Sequence, residues 1–247
     1  MDVSLYQAAA AMNATERWQE LVSDNIAAAS IPGARKREIS FSAVQAGLAP
    51  QAALGSLHYV IPSATTAVNF QQGELHASAN RMDFALEGPG FFTVQLPSGQ
   101  TAYTRDGQFN LNAQGQLVTN QGYLVLGQAG PIQFDPNNGG AITISDSGDV
   151  SQGAEKKNTL QLAEFNNPAL LTPLGGGIFT ADNSALQKTS ATATHVRQGF
   201  IEAANTSPTE QMATLITAMR MFEANQKVLQ MQSDRMSREI TDLGNPS

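Results

Sequence analysis

The C-terminal end of the chain carries a long row of apolar residues at alternating steps of three and four. The row lasts about four heptads, which is typical of a long helix that packs along another helix. Two polar residues, Gln226 and Ser233, lie on the same row. The apolar positions are Met212, Leu215, Met219, Phe222, Leu229, Met236, Ile240 and Leu243.

Local signals give this helix a start and an end. Ser207 is suited to the N-cap and Pro208 to the first helical position, and Glu210 stands where a capping box places an acid. Gly244 ends the pattern. A helix between these points would be about 54 Å long. Such a length favours a surface for assembly, with an ordinary core helix as the alternative.

The N-terminus repeats the same spacing, so we expect a second helix there. Its apolar positions are Leu5, Ala8, Met12, Val22 and Ile26. The shared period predicts an α+β fold in which long N- and C-terminal helices form a coiled-coil pair. Residues 1–35 together with 196–247 would then form one discontinuous terminal helical domain.

The middle of the chain is predicted to be β structure. Between Met82 and Gly130 short apolar pieces alternate with turn signals such as Asp106-Gly107, a pattern typical of antiparallel strands. We expect an inserted, mainly antiparallel β domain over 81–195. The segment 36–80 is poor in charge and is interpreted as an extended connector, with a small structured subdomain as the alternative.

Composition excludes several classes of partner. The 247 residues carry a net charge of −7, whereas phosphate binding needs a basic surface, so nucleic acid is not expected. The one basic run, Arg35-Lys36-Arg37, is interpreted as a solvated turn after the first helix. No stretch approaches the ~20 apolar residues of a membrane helix, so no membrane insertion is expected. There is no cysteine, so a disulfide framework and a thiolate metal site are excluded.

The sequence offers no pattern of a catalytic or cofactor site. His58, His76 and His195 are scattered without ligand spacing, and the common hydrolase and nucleotide-binding motifs do not occur. We therefore predict no catalytic residue, no cofactor and no metal, and a structural protein rather than an enzyme. A hydrolase with a carboxylate pair in a cleft stays open as the alternative.

Three stretches of the chain resemble one known family, the flagellar axial proteins that form the rod and hook of the bacterial basal body. The resemblance is greatest to rod proteins of the FlgF/FlgG type. The first stretch is Ser23 to Gly33, which closes the first helix. The second comprises Gly88-Pro89-Gly90-Phe91-Phe92, Tyr103-Thr104-Arg105-Asp106-Gly107 and Gly115 to Tyr123, and the third is Gly199-Phe200-Ile201-Glu202 with Asn205 and the helix that follows.

The resemblance implies a subunit that stacks helically with its own copies into a hollow drive shaft, which transmits motor torque to the hook. The implied location is the basal-body rod, which spans the periplasm. Implied partners are neighbouring rod and hook proteins and the flagellar type III export apparatus, with surrounding ring proteins as further candidates. Export by that route would use no cleaved signal peptide.

Roles for individual residues follow from the resemblance and the spacing together. We expect the apolar row of the C-terminal helix to pack against that of the N-terminal helix, in the same or a neighbouring subunit. Tyr103, Arg105 and Asp106 are expected to hold a turn of the β domain itself, with contact to a partner as the alternative. The alternative function is another coiled-coil assembly, such as a phage-tail or secreted adhesin oligomer. The predicted packing residues are Leu5, Met12, Val22, Ile26, Met212, Leu215, Met219, Phe222, Leu229 and Met236.

Overall fold

The computed structural model describes residues 3–46, 59–136 and 138–244. The chain divides into two compact units, each built from separate pieces of sequence. The first, here called the helical unit, comprises Met1–Ile26, Arg37–Ala67 and Pro208–Ser247. The second, here called the β body, comprises Ala27–Lys36 and Val68–Ser207. Both ends of the chain therefore belong to the same unit, with the β body inserted between them.

Two α-helices and a pair of strands make up most of the helical unit. Helix α1 spans Val3–Ala28 and helix α2 spans Pro208–Gly244, so α2 begins at the proline that the sequence predicts. Strands β1 (Arg37–Ala46) and β2 (Tyr59–Val68) form a two-stranded sheet. The ring of Trp18 on α1 packs edge-on against Phe41 of β1, with 5.7 Å between the ring centroids.

The α+β class is confirmed, but the predicted coiled-coil pair of terminal helices is wrong. Among the α2 residues up to Thr241, whose burial the structure describes, only Gln211 and Ala218 are buried, and none from Met219 onwards. The helices meet through polar contacts, in which the Gln19 side-chain amide donates to the backbone oxygen of Ala218 over 3.3 Å and that of Asn25 donates to Gln211 Oε1 over 3.3 Å. Helix α1 has 26 residues and α2 has 37. Because α1 is the shorter helix and α2 has no buried residue from Met219 to Thr241, the described side chains form no continuous apolar interface between the two helices.

The β body is built from short strands with tight turns, as the sequence predicts. The strands of its largest sheet are β5 (Phe91–Gln95), β6 (Thr101–Thr104), β7 (Phe109–Leu111), β8 (Leu117–Thr119), β9 (Leu124–Gly127), β10 (Gly130–Pro131), β14 (Leu162–Phe165), β15 (Thr172–Gly175), β16 (Ile178–Thr180) and β17 (Lys188–Ser190). Seven of them follow one another in the order β15-β16-β6-β5-β9-β8-β7, while β10 pairs with β9, β14 with β5, and β17 with β14. All these pairings are antiparallel.

Three smaller sheets complete this unit, together with one turn of 3-10 helix at Pro168–Leu170. In two of them a strand from just before α2 pairs with a strand from just before the main sheet. The pairs are β18 (His195–Gln198) with β4 (Phe84–Glu87), and β19 (Phe200–Glu202) with β3 (Leu75–Ala77). The third is β11 (Ile142–Ile144), β12 (Asp149–Gln152) and β13 (Glu155–Thr159).

Aromatic side chains fill the interior of the β body. Phe84, Phe92 and Phe109 contact one another in the larger apolar cluster, and the rings of Phe92 and Phe109 are 5.1 Å apart. A second cluster gathers around Phe91, whose ring packs against that of Phe165. Because burial of such side chains is the main favourable term in folding, this unit has a core of its own.

Gly107 allows the chain to pass directly over the backbone of β4. A Cβ atom at this position would lie 1.6 Å from the Phe84 carbonyl oxygen. We predict that Gly107→Ala lowers the free energy of unfolding by about 3 kcal/mol or more, because the backbone must move to make room. Gly139→Ala is the control, since no atom lies within 4 Å of its Cβ position. Denaturant unfolding of both variants measures the effect, and equal stability would contradict the prediction.

Candidate functional site: the terminal helices and the Glu202 cluster

Helix α2 presents apolar side chains on more than one side. A half-buried row runs along it through Leu215, Phe222, Leu229 and Met236. Outside this row, large apolar side chains are exposed at six further positions in the first two thirds of the helix, and Ile240 is exposed near its end. The six are Met212, Ile216, Met219, Met221, Val228 and Met231.

The structure separates the predicted packing residues into three groups. Met212 and Met219 are exposed, by 54% and 52%, and lie outside the row formed by the other four predicted residues of α2. On α1, Val22 is buried, whereas Met12 and Ile26 are half-buried. Leu5 belongs to α1, but its side chain lies outside the described part of the chain.

Asn25 connects three elements of the helical unit. Its amide group forms a matched pair of hydrogen bonds with the backbone of Arg37, accepting from the N–H over 2.9 Å and donating to the carbonyl oxygen over 2.8 Å. The same amide nitrogen donates to Gln211 Oε1 over 3.3 Å. A buried polar side chain must find such partners, so the end of α1, the start of β1 and the first turns of α2 are fixed together.

In the β body, a carboxylate with no exposed surface joins three other parts of the chain. Glu202 Oε1 accepts from Arg35 Nη1 over 2.6 Å and from the Gly73 backbone N–H over 2.9 Å. Its second oxygen, Oε2, accepts from Arg105 Nη1 over 3.3 Å. The side chains of Arg35 and Glu202 are 0% exposed and that of Arg105 is 2% exposed. Arg35, Arg105 and Glu202 are called the Glu202 cluster below.

Backbone contacts bring the cluster together. The Gly33 N–H donates to the Glu202 carbonyl oxygen over 2.7 Å. Gly33 has a φ of +68°, and a Cβ there would lie 2.5 Å from the carbonyl carbon of Arg105. Because only glycine combines this conformation with this approach, the residue places Arg35 within reach of Glu202.

Asn205 secures the same region next to α2. Its side-chain oxygen accepts from the Lys36 N–H over 2.6 Å, and its amide nitrogen donates to the carbonyl oxygens of Asn69 and Gln71. The residues that follow α1 and those that precede α2 are therefore held to the same part of the β body.

The electrostatics of the cluster follow from burial. Burial lowers the pKa of Arg105 to about 10, and the nearby Glu202 carboxylate opposes this shift. Arg105 therefore stays charged at neutral pH. Its guanidinium lies over the Phe91 ring, 4.9 Å from the centroid, and its Nη2 donates to the Gly88 carbonyl oxygen over 2.6 Å. Such contacts replace part of the hydration that a buried cation loses.

A second buried carboxyl group lies beside the cluster in the sequence. Burial raises the pKa of Asp106 to about 6, the Gln108 backbone N–H opposes this, and the charge of Asp83 adds to it. Asp106 Oδ1 accepts that N–H over 3.0 Å. The role predicted for Tyr103, Arg105 and Asp106, holding a turn of the β body, stays a prediction. The bond between Asp106 and Gln108 agrees with it, whereas Arg105 contacts Glu202 and Gly88.

The prediction that the basic run at Arg35 is a solvated turn is wrong for that residue. Arg35 is buried because it pairs with Glu202, which lies 167 positions away in the sequence. The residues around Arg35 in the sequence cannot reveal a partner at that separation. Sequence reasoning also missed Asn25 and Asn205. Both lie inside the stretches that resemble the flagellar family, and that resemblance is the sequence feature that could have pointed to them.

The described parts of the chain contain no cluster of three or more His, Asp or Glu residues able to hold a metal ion. Neither described helix combines the length and the apolar character needed to cross a membrane.

Comparison with known proteins identifies related chains. Residues 85–152 match the family described as flagellar hook protein FlgE/F/G D1 domain, and residues 197–243 match flagellar basal body rod FlgEFG protein C-terminal. The flagellar basal-body rod protein FlgF of Caulobacter vibrioides is 30% identical over 99% of both chains. The FlgF of Mesorhizobium japonicum is 29% identical over the full length of both. The FlgG of Borreliella burgdorferi is 36% identical over 68% of this chain and 66% of its own. These relatives give no support to the alternative of a phage-tail or adhesin oligomer.

We predict that Glu202→Gln lowers the free energy of unfolding by about 3–5 kcal/mol, because two buried guanidinium groups lose their counter-charge. The control is Glu87→Gln, which removes a surface ion pair with Arg197 and should cost less than about 1 kcal/mol. Chemical denaturation of both variants at neutral pH measures the difference. An equal decrease in the free energy of unfolding for the two variants would contradict the prediction that the Glu202 cluster contributes more stability than a surface ion pair.

A second prediction concerns pH. The native pKa of Asp106, about 6, lies above the ordinary value of 3.8, so between these values the native state binds a proton that the unfolded state does not. This group therefore adds stability as the pH falls from about 7 to about 4. Asp106→Asn should remove this dependence and be more stable than the wild type at pH 7, by on the order of 2–3 kcal/mol. Unfolding curves across this pH range test it, and parallel pH profiles of the two proteins would contradict it.

Proposed function

Since the chain belongs to the family of flagellar basal-body rod proteins and is a structural subunit of the rod, we propose that the helices of its terminal segments, residues 1–35 and 196–247, form the surface through which copies assemble. The copies stack helically into the hollow drive shaft that carries torque from the motor to the hook. The observation that carries this proposal is the exposure of α2 in the free chain.

The exposed surface of α2 favours burial by other subunits. Single exposed apolar residues are normal on a soluble protein, but a contiguous set marks an interaction surface. Three of the exposed apolar residues, Met212, Ile216 and Met219, are spaced by four and three positions and so share one side of α2. The half-buried row runs along another side. Because most helical stability comes from packing of the apolar face, α2 gains stability when neighbouring subunits cover it.

Specific residues carry this packing. Leu215, Phe222, Leu229 and Met236 form one contact row of α2, and Met212 and Met219 contact a further neighbour. Methionine side chains adapt to irregular surfaces, which suits contacts that differ between neighbours. The counterparts on the N-terminal helix of a neighbouring copy are Leu5, Met12, Val22 and Ile26.

Assembly of this kind is open-ended. A contact between two different surfaces that does not close on itself produces a helical polymer, whereas a self-complementary contact stops at a dimer. As a member of the rod family the protein assembles with other rod and hook proteins in the basal body. We further propose that it reaches this site through the flagellar export apparatus, without a cleaved signal peptide, and that ring proteins surround the assembled shaft.

The role is structural and not enzymatic. The buried carboxylate of Glu202 forms ion pairs with Arg35 and Arg105 within the chain, which suits a structural role. The relatives are structural rod proteins, and their names describe no reaction.

We predict that Phe222→Asp or Leu229→Asp abolishes assembly and motility while the β body stays folded, because a charge replaces an apolar contact on α2 alone. Ala213→Asp is the matched control, since Ala213 is exposed and is not one of the large apolar residues of α2. Sedimentation of the purified chain measures assembly, and near-ultraviolet circular dichroism measures folding of the body. Normal assembly of Phe222→Asp and Leu229→Asp, or loss of the fold of the β body in either variant, would contradict the proposal.

A further inference from the structure

The loop between β10 and β11 contains Asn138, the only asparagine in the sequence that a glycine follows. Asn138 and Gly139 are exposed and lie outside the helices and strands. No atom lies within 4 Å of a Cβ built on Gly139. The peptide bond between the two residues is therefore open on the side where other residues carry a side chain.

The side-chain amide of Asn138 is held close to this peptide bond. Its Oδ1 accepts from the Gly140 backbone N–H over 3.0 Å, which keeps the amide carbon Cγ folded back toward the Gly139 nitrogen. The same hydrogen bond stabilises negative charge on Oδ1 when a nucleophile attacks Cγ. Within the described residues the Gly139 N–H donates to no acceptor, so this nitrogen is free to react.

Five other asparagines of the described residues accept the backbone N–H two positions ahead in the same way, but none of them precedes a glycine. The following residue matters because its side chain crowds the attacking nitrogen, and proline has no N–H at all. Asn138 alone combines this hydrogen bond with an unhindered nitrogen. The five are Asn69, Asn80, Asn112, Asn167 and Asn183, which are followed by Phe70, Arg81, Ala113, Pro168 and Ser184.

We propose that Asn138 is a site of spontaneous deamidation. The Gly139 nitrogen bonds to Cγ, the bond between Cγ and Nδ2 breaks, and Nδ2 leaves as ammonia with the proton from the Gly139 nitrogen. Water then opens the cyclic imide at one of its two carbonyl groups. Opening at Cγ gives aspartate, and opening at the former backbone carbonyl gives isoaspartate. The only co-reactant is water, and the proposal does not depend on the proposed function.

The isoaspartate product changes how the loop is attached to β12. Gln152 of β12 is 4% exposed, and its Nε2 donates to the backbone oxygens of Asp135 and Asn138 over 2.9 and 2.8 Å. In isoaspartate the Asn138 backbone carbonyl becomes a free carboxylate, and the main chain gains a methylene group. The bond to Gln152 is then no longer fixed by the backbone. The aspartate product keeps the backbone and adds a negative charge to a loop that already carries Asp135.

Peptide mapping by mass spectrometry tests the proposal on the full-length chain, incubated under native conditions at mildly alkaline pH. Asn183 is the internal control, because it is exposed and makes the same hydrogen bond before a serine. We expect Asn138 to deamidate about tenfold faster than Asn183, since the unhindered nitrogen lowers the activation free energy. Both aspartate and isoaspartate should form, because direct hydrolysis of the side-chain amide gives aspartate alone.

The matched variant is Gly139→Ala, whose added methyl group meets no other atom and crowds only the nitrogen. It should slow deamidation of Asn138 about tenfold and leave that of Asn183 unchanged. Incubation of the wild type in denaturant separates the effect of the sequence from that of the fold. If Asn138 reacts there but is as stable as Asn183 in the native chain, the fold protects it and the proposal is overturned. Formation of aspartate without isoaspartate would also overturn it. None of these measurements involves assembly, so they test this site alone.

Discussion

The ion cluster at Glu202 is the contact on which the arrangement of the β body depends most. Its carboxylate accepts hydrogen bonds from Arg35, Gly73 and Arg105, which come from three separate parts of the chain. Arg35 follows α1, and Glu202 itself precedes α2. Because breaking a buried pair leaves an uncompensated charge, the two segments that lead to the helices are firmly attached to the body.

Burial differs sharply between the two units. In the β body, aromatic residues such as Phe84 and Phe92 have almost no exposed surface, and charged groups are paired inside. On α2, by contrast, no residue from Met219 to Thr241 is buried. The β body has a core of its own, and we propose that neighbouring subunits complete the apolar surface of α2. This division suits a subunit that must remain separate before it joins a polymer.

Sequence periodicity predicted α2 and the antiparallel body because both patterns are local. Periodicity did not predict which side of α2 is half-buried. Met212 and Leu215 both fit the heptad spacing, and only the elements that pack against the helix distinguish them. The coiled-coil pair failed for the same reason: the spacing identifies an apolar side but not the helix that covers it. Arg35 was misjudged because its burial depends on Glu202, far away in the sequence, and no local pattern reports such a pairing.

Hydrogen exchange measured by mass spectrometry, on the free chain and on the assembled polymer, tests the central claim most directly. The account predicts slow exchange for the core strands of the body, such as β5 (Phe91–Gln95), in both states. It predicts fast exchange for α2 beyond Met219 in the free chain and strong protection there after assembly. Full protection of this part of α2 in the free chain, unchanged in the polymer, would contradict the account.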